Sequence, residues 1–184
     1  MLAREPLTSP AFTYRIRPAK IAGGGMIDLG EAFLHAPAFA AEPGELIAVA
    51  AAACTLGAAL QDRISELFAT RRRSLALALD TLGNELLFRL ADRATAAIRR
   101  DARREGLGTG IEIGPGDPGL PLDQHAVVLA LAGSWRNGIV VTEAGMLAPV
   151  QSLSLLVALG RNLRQRSAKA RCACCPSRDR CTMN

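Results

Sequence analysis

The chain has 184 residues, of which 49% are hydrophobic and 21% are charged, a composition typical of one globular domain and not of a disordered chain. Aromatic residues make up only 4%, so we expect a core of Leu, Ile, Val and Ala without large surfaces on which nucleic-acid bases could stack. The uncharged run of residues 46–60 is shorter than the roughly 20 residues of a membrane-spanning helix, and the N-terminus has no apolar leader. These features predict a chain without a membrane segment, and cysteines that are clustered and not spread as a disulfide framework predict a reducing, cytoplasmic compartment.

The net charge of +5 is concentrated at the C-terminus. Residues 161–184 contain seven Lys or Arg and a single acidic residue, Asp179, so the rest of the chain is close to neutral. A basic tail on a near-neutral body does not indicate a DNA-binding face on the fold. Nucleic-acid binding is therefore the least favoured function.

Prolines and glycines interrupt the N-terminal part of the chain. We predict that residues 1–44 form an irregular segment packed on a domain of residues 45–160, with a basic, cysteine-rich tail over residues 161–184. Within the N-terminal segment, residues 12–16 are predicted to form a short strand and residues 27–33 a short helical turn.

Two helices are predicted in the middle of the chain. Apolar residues at the spacing of an amphipathic helix occupy positions 60–68 and end before three arginines. A second, longer helix follows, with Leu75, Leu79, Leu82 and Leu86 on one line, and its arginine-rich last turns lead to Gly106 as a glycine stop.

Strands dominate the C-terminal part of the predicted domain. Residues 108–114, 138–142 and 152–160 alternate as strands do, a Gly/Pro-rich loop occupies residues 114–119, and a short helix is predicted over residues 123–133. In the last strand Ser152 and Ser154 share one face, where exposure to solvent is the favoured interpretation and a place in a cleft is the alternative. The order of elements indicates an α+β fold with antiparallel strand pairing.

Four separated segments resemble the activation domain of cobalamin-dependent methionine synthase. The first is a Thr-Leu-Gly turn followed by an amphipathic helix, and the second is a Leu-Asp-Thr-Leu-Gly stretch on the long helix. The third is a Gly-Pro-Gly loop continued by Leu-Pro-Leu-Asp-Gln, and the fourth combines Thr-Glu, Pro and Ser-Leu-Ser. In this sequence they begin at Thr55, Leu79, Gly114 and Thr142, respectively.

The resemblance implies a C-shaped α+β domain with a twisted antiparallel sheet flanked by helices, which docks on a corrinoid-carrying module and binds S-adenosylmethionine. It also implies a strand over residues 46–54, where the many alanines alone would favour a helix; we predict the strand. The positions it suggests for cofactor binding are Glu112, Gly114, Pro115, Gly116, Asp117, Thr142, Glu143 and Ser152. For Glu143, a polar residue that bonds loop amides is an equally good interpretation.

The chain departs from the family at the adenosylmethionine signature, Arg-x-x-x-Gly-Tyr. Glu112 stands at the arginine and Asp117 at the tyrosine, so an acid replaces the group that would pair with the ligand carboxylate. Weak or absent S-adenosylmethionine binding is expected. There is also no Asp-x-His-x-x-Gly corrinoid motif, and His35 and His125 are interpreted as surface or capped histidines.

These observations suggest an accessory or reactivation protein that acts in trans. Its partners would be a corrinoid protein or corrinoid methyltransferase, with an electron donor as a further partner, and any corrinoid would be held by the partner. No nucleotide-binding loop, nucleophile elbow or metalloprotease helix is present, so kinase and hydrolase functions are not indicated.

Four of the five cysteines lie close together in the tail. Clustered thiols flanked by arginines favour a metal centre, either an iron–sulfur cluster or zinc. Because neighbouring residues do not readily aim both sulfurs at one metal, a three-thiol site is an alternative to a four-thiol site. The alternative function is accordingly a metal-cluster protein with a redox or structural role. The predicted ligands are Cys172, Cys174, Cys175 and Cys181.

Overall fold

The computed structural model describes residues 6–163, so the four tail cysteines lie outside the described residues. The elements, in chain order, are β1 Ala11–Pro18, β2 Lys20–Gly23, β3 Met26–Asp28, β4 Phe33–His35, α1 Pro37–Ala40, β5 Glu45–Thr55, α2 Ala59–Ala69, α3 Arg73–Arg104, β6 Gly108–Ile113, α4 His125–Ala132, β7 Val140–Val141, β8 Leu147–Ala148 and β9 Ser152–Arg161. Single 3-10 turns precede and follow α4.

A four-stranded antiparallel sheet in the order β1-β5-β9-β6 forms the centre of the molecule. One face of this sheet packs against α2 and α3, and we call it the helical side. The opposite face, the α4 side, packs against α4, the small sheet β2-β3-β4 and the hairpin β7-β8. The sheet therefore has a hydrophobic core on each face.

The alanine-rich segment forms strand β5, as predicted. It pairs with β1 on one edge and β9 on the other, and its residues from position 48 onward are buried. Burial on both faces overrides the helical propensity of alanine, because small side chains let the layers on either side approach the strand closely. Its side chains alternate between the helical side (Ala48, Ala50, Ala52 and Cys54) and the α4 side (Val49, Ala51 and Ala53).

Both long helices occur close to their predicted limits, but the buried face of α3 is not the line of leucines that is prominent in the sequence. Leu75, Leu82 and Leu86 are 44%, 50% and 40% exposed. The buried face lies about a quarter turn away and contains mainly small residues, because α2 and the sheet pack closely against it. Its members are Ala76, Gly83, Leu87, Leu90, Ala91, Ala94, Thr95, Ala97, Ile98 and Ala102.

The N-terminal part of the chain is more regular than predicted. The strand expected over residues 12–16 is confirmed and extends to the whole of β1, which forms one edge of the central sheet. The helical turn expected over residues 27–33 is wrong, because this stretch forms β3 and leads into β4. Ile27 and Leu34 sit opposite each other in that pair and are fully buried, so strand pairing gives them a better core position than a lone helical turn would.

No helix within residues 6–163 is both long enough and apolar enough to cross a membrane.

Candidate functional site

Several loops meet at one end of the central sheet. β1 and β9 begin there, and β5 and β6 end there, because neighbouring strands run antiparallel. The segment of residues 149–154 crosses this end and leads into β9; we call it the junction segment. It contacts the Thr-Leu-Gly turn, the Leu-Asp-Thr-Leu-Gly stretch and the first residue of α4, which directly follows the Leu-Pro-Leu-Asp-Gln stretch.

The first contact joins the junction segment to the Thr-Leu-Gly turn after β5. The hydroxyl of Ser152 donates to Oγ1 of Thr55 at 2.8 Å, and the amide of Leu56 donates to the carbonyl of Gln151 at 3.0 Å. Gly57 has a φ of +82° and donates its amide to Thr55 Oγ1 at 3.1 Å. A left-handed glycine at this point lets the chain turn from the sheet into α2.

The second contact joins the junction segment to α3. It involves Asp80 and Gly83, which belong to the Leu-Asp-Thr-Leu-Gly stretch. Nε2 of the buried Gln151 donates to Oδ1 of Asp80 at 3.0 Å. A Cβ at Gly83 would lie 2.8 Å from Cδ2 of Leu60 and 3.4 Å from Cγ of Gln151. This glycine therefore lets α2 and the junction segment lie directly on α3.

The third contact lies on the α4 side and was not predicted. His125, the first residue of α4, has its Nδ1 3.0 Å from Oγ of Ser154, and both residues are buried. The expectation that Ser154 faces solvent is wrong, and of the two interpretations of His125, surface or capped, the surface one is wrong, because each side chain satisfies the other inside the fold. The two residues are 29 positions apart. No local sequence pattern predicts a contact between them.

Burial lowers the pKa of His125 below its usual value of 6.5. The unfolded chain then binds a proton at a higher pH than the native protein, so the free energy of unfolding should fall as pH decreases below about 6.5. Urea denaturation at a series of pH values would measure this slope. His125→Asn should make the free energy of unfolding less dependent on pH in this acidic range. His35→Asn, at an exposed position in β4, should leave that pH dependence unchanged. Equal slopes in the wild type and His125→Asn would contradict the assignment.

The Gly/Pro-rich loop after β6 is closed by its own hydrogen bonds. The amide of Gly114 donates to Oδ2 of Asp117 at 2.7 Å, the amide of Asp117 donates back to the carbonyl of Gly114 at 3.0 Å, and the amide of Gly116 donates to the carbonyl of Leu120 at 2.9 Å. Asp117 thus has a structural role in the loop. An open groove of about 500 Å³ lies against this loop and is lined by Pro37, Gly116, Asp117, Gly119, Leu120, Pro121 and Leu122.

The structure places Glu112 away from that groove. Its neighbours in β6, Ile111 and Ile113, pack on the α4 side, so Glu112 points to the helical side, where its charge contributes with burial to the raised pKa of Cys54. Gly114 and Pro115 begin the loop, and of the positions suggested for cofactor binding only Gly116 and Asp117 line the groove.

Thr142 and Glu143 lie in the turn that joins β7 to β8. The amide of Thr142 donates to the carbonyl of Met146 at 2.8 Å, and Thr142 Oγ1 accepts from the amide of Met146 at 3.2 Å. These hydrogen bonds hold the turn itself. Neither Thr142 nor Glu143 lines the groove, so the role in cofactor binding that the resemblance suggests for them stays a prediction.

Within the described residues, no group of three or more His, Cys, Asp or Glu side chains could hold a metal ion. Cys54 is buried, and desolvation raises its pKa to about 12, with a smaller contribution from Glu112. A thiol of this kind remains protonated at neutral pH and is not a reactive cysteine.

The arrangement of sheet, helices and loops is the fold of a methionine synthase reactivation domain. One solved structure that it matches is that of the MetH reactivation domain bound to AdoHcy, with a TM-score of 0.68 and 16% sequence identity over 88% of this chain. The match covers 62% of the length of that chain. No family model matches the sequence, and no curated protein matches it. The structural likeness confirms the α+β architecture and the fold that the resemblance implied.

Proposed function

We propose that this protein assists the reactivation of a corrinoid-dependent methyltransferase and acts in trans. The observation that carries the proposal is the junction segment. The turn at Thr55, the stretch at Asp80 and the α4 start at His125 all bond to it. The Thr-Leu-Gly turn, the Leu-Asp-Thr-Leu-Gly stretch and the start of α4, which directly follows the Leu-Pro-Leu-Asp-Gln stretch, are thus assembled around one end of the sheet, as expected if they serve one site.

The corrinoid would be carried by the partner. His125 bonds to Ser154 inside the fold, and His35 lies in β4, which belongs to the small sheet and not to the groove. The groove is open and presents the half-exposed Leu122 at its edge. An open, largely apolar groove suits contact with another macromolecule better than enclosure of a small ligand.

Direct binding to a purified corrinoid-carrying module of methionine synthase would test this proposal, with calorimetry as the measurement. We expect micromolar binding by the full chain. Leu122→Glu should weaken it at least tenfold, because the change puts a charge at the edge of the groove. Leu77→Glu makes the same change at a residue of α3 that is 58% exposed and should have no effect. Absence of binding at 100 μM, or equal loss in both variants, would refute the proposal.

S-adenosylmethionine is expected to bind weakly. Among the described residues that line the groove, the one with a charged side chain is Asp117, which offers no partner to the ligand carboxylate. Loss of a charge-assisted hydrogen bond costs about 1.5–3 kcal/mol, so the dissociation constant should exceed that of the MetH reactivation domain at least tenfold. Calorimetry with both proteins would measure the two dissociation constants. Asp117→Asn should bring them closer together, because it removes a charge of the same sign as the ligand carboxylate. Equal affinities would show that other groups hold the carboxylate.

A further inference from the structure

The described part of the chain ends on the α4 side of the molecule. After β9 the chain crosses Gly44, where a Cβ would lie 2.5 Å from the carbonyl oxygen of Arg161. Leu163 then packs against the core of the α4 side. A Cβ on Gly110 would meet Cδ1 of Leu163 at 3.1 Å. The chain beyond Leu163 therefore starts on the face of the molecule that carries the groove.

Glu42, two residues after α1, has a buried carboxylate oxygen without a partner among the described residues. Its Oε2 accepts no hydrogen bond there. A Cβ on Gly110 would meet this oxygen at 2.9 Å, beside the side chain of Leu163, so Glu42 adjoins the end of the described chain. A buried carboxylate oxygen that lacks a donor is costly. The position favours a cation that arrives along the chain beyond Leu163.

The short helix α1 connects Glu42 to the groove. It has four residues and is therefore about 6 Å long. Pro37, its first residue, lines the groove. Ala38 lies against Gly119, another residue of the groove, where a Cβ would be 2.6 Å from the Cβ of Ala38. The groove thus begins one short helix away from Glu42.

The segments around the groove and the chain beyond Leu163 carry opposite charges. Residues 164–171, which lie outside the described residues, contain four Lys or Arg and no acidic residue. Residues 32–44 and 114–124 contain no Lys or Arg and three acidic residues, which are Glu42, Asp117 and Asp123. Eight residues span about 26 Å when extended, so residues 164–171 are long enough to pass α1 and reach across the groove.

We propose that residues 164–171 dock on the groove of their own chain and cover it until a partner displaces them. Arg164, the first residue of this segment, pairs with the buried oxygen of Glu42. The later cations face the carboxylates of Asp117 and Asp123, while their hydrocarbon stems lie on the apolar lining of the groove. The autoinhibitory role rests on the proposed function, in which a partner binds the same groove; the docking itself does not.

A weak contact is sufficient, because the segment is tethered beside its site. A short tether gives an effective concentration of about 1 mM. A docked segment with an intrinsic dissociation constant of about 100 μM would therefore occupy the groove most of the time and would weaken a competing partner about tenfold.

Zero-length cross-linking of the full chain, read by mass spectrometry, tests the docking. A carbodiimide joins a lysine amine to a carboxylate that it contacts, and the chain has two lysines, Lys20 and Lys169. At 1 μM protein we expect Lys169 to join Asp117, Asp123 or Glu42 within one chain. Because the contact depends on charge, the yield should fall at least threefold when salt is raised from 50 to 500 mM.

A pair of tail variants gives the matched control. Arg164→Ala should lower the yield of this cross-link at least threefold. Arg180→Ala makes the same change in charge outside residues 164–171 and should leave the yield unchanged. The docking would be overturned by cross-links from Lys169 to helical-side carboxylates such as Asp62, by the absence of an intramolecular cross-link, or by a yield that Arg164→Ala does not change.

Calorimetry with the corrinoid-carrying module tests the autoinhibition. Arg164→Ala should bind the module at least threefold more tightly than the wild type, because its groove is more often free, and Arg180→Ala should bind like the wild type. Equal affinities of Arg164→Ala and the wild type would overturn the inhibitory role. If no variant binds the module, the proposed function fails, and the cross-links still decide whether residues 164–171 dock on the groove.

Discussion

Replacing Gly160 with alanine should lower the free energy of unfolding by more than about 3 kcal/mol, or prevent folding. Gly160 lies near the end of β9, between β5 and β6. A Cβ at this position would overlap the carbonyl oxygen of Glu45 and would lie 2.9 Å from its carbonyl carbon. Because the obstacle is backbone, no side-chain rotation can relieve it.

The close approach has a local cause. The pairing of β5 with β9 shifts by one residue between Leu46 and Ala48, so the β5 backbone bulges beside Gly160. Only a residue without a side chain fits beneath such a bulge.

Gly108→Ala provides a matched control, because Gly108 is the partner of Gly160 across the sheet. A Cβ there would meet the carbonyl oxygen of Gly160 at 3.4 Å, an ordinary contact, so we expect a change within about 1 kcal/mol. Urea denaturation of the two variants and the wild type would measure both effects. Similar losses of unfolding free energy in both variants would show that the bulge in β5 is not the reason why position 160 requires glycine.

The second large effect concerns the tail. We propose that Cys172, Cys174, Cys175 and Cys181, which lie outside the described residues, bind either one iron–sulfur cluster or one zinc ion. Four cysteines within ten positions of a chain that has one other cysteine support this proposal. Replacing all four by serine should abolish metal binding, since a hydroxyl does not replace a thiolate ligand.

Anaerobic purification followed by metal analysis and visible absorption would measure the bound metal and distinguish iron–sulfur from zinc. Cys54→Ala is the matched control, because Cys54 is buried and its pKa is raised to about 12; this variant should keep the full metal content. Colourless protein without iron or zinc, in which four thiols titrate freely, would contradict the metal site.

Local signals were sufficient for much of the fold. The limits of α2 and α3 follow from apolar spacing and from the glycine stop at Gly106, and β9 follows from alternation. The strand β5 could not be derived from alanine propensity and depended on the resemblance, because its environment is created by its neighbours in the sheet. The buried face of α3 was not predicted for a similar reason. Small residues are buried where the helix and the sheet are closest, whereas the apolar spacing in the sequence is marked by the larger leucines.

The candidate site was only partly predictable. The Gly/Pro loop was found because glycine and proline exclude regular structure, and its groove lies against Gly116 and Asp117. The contacts of Gln151 with Asp80 and of Ser154 with His125 join residues 71 and 29 positions apart. Such pairs depend on the register of β9 in the sheet, which a single sequence does not encode locally.

The junction segment has a mechanical consequence. Its residues bond to the turn after β5, to α3 and to α4, and each of these elements also packs on the central sheet. A force applied at this end of the sheet would have to displace strand, helix and loop together. This part of the molecule should therefore behave as a stiff platform, whose shape is set by the fold before anything binds to it.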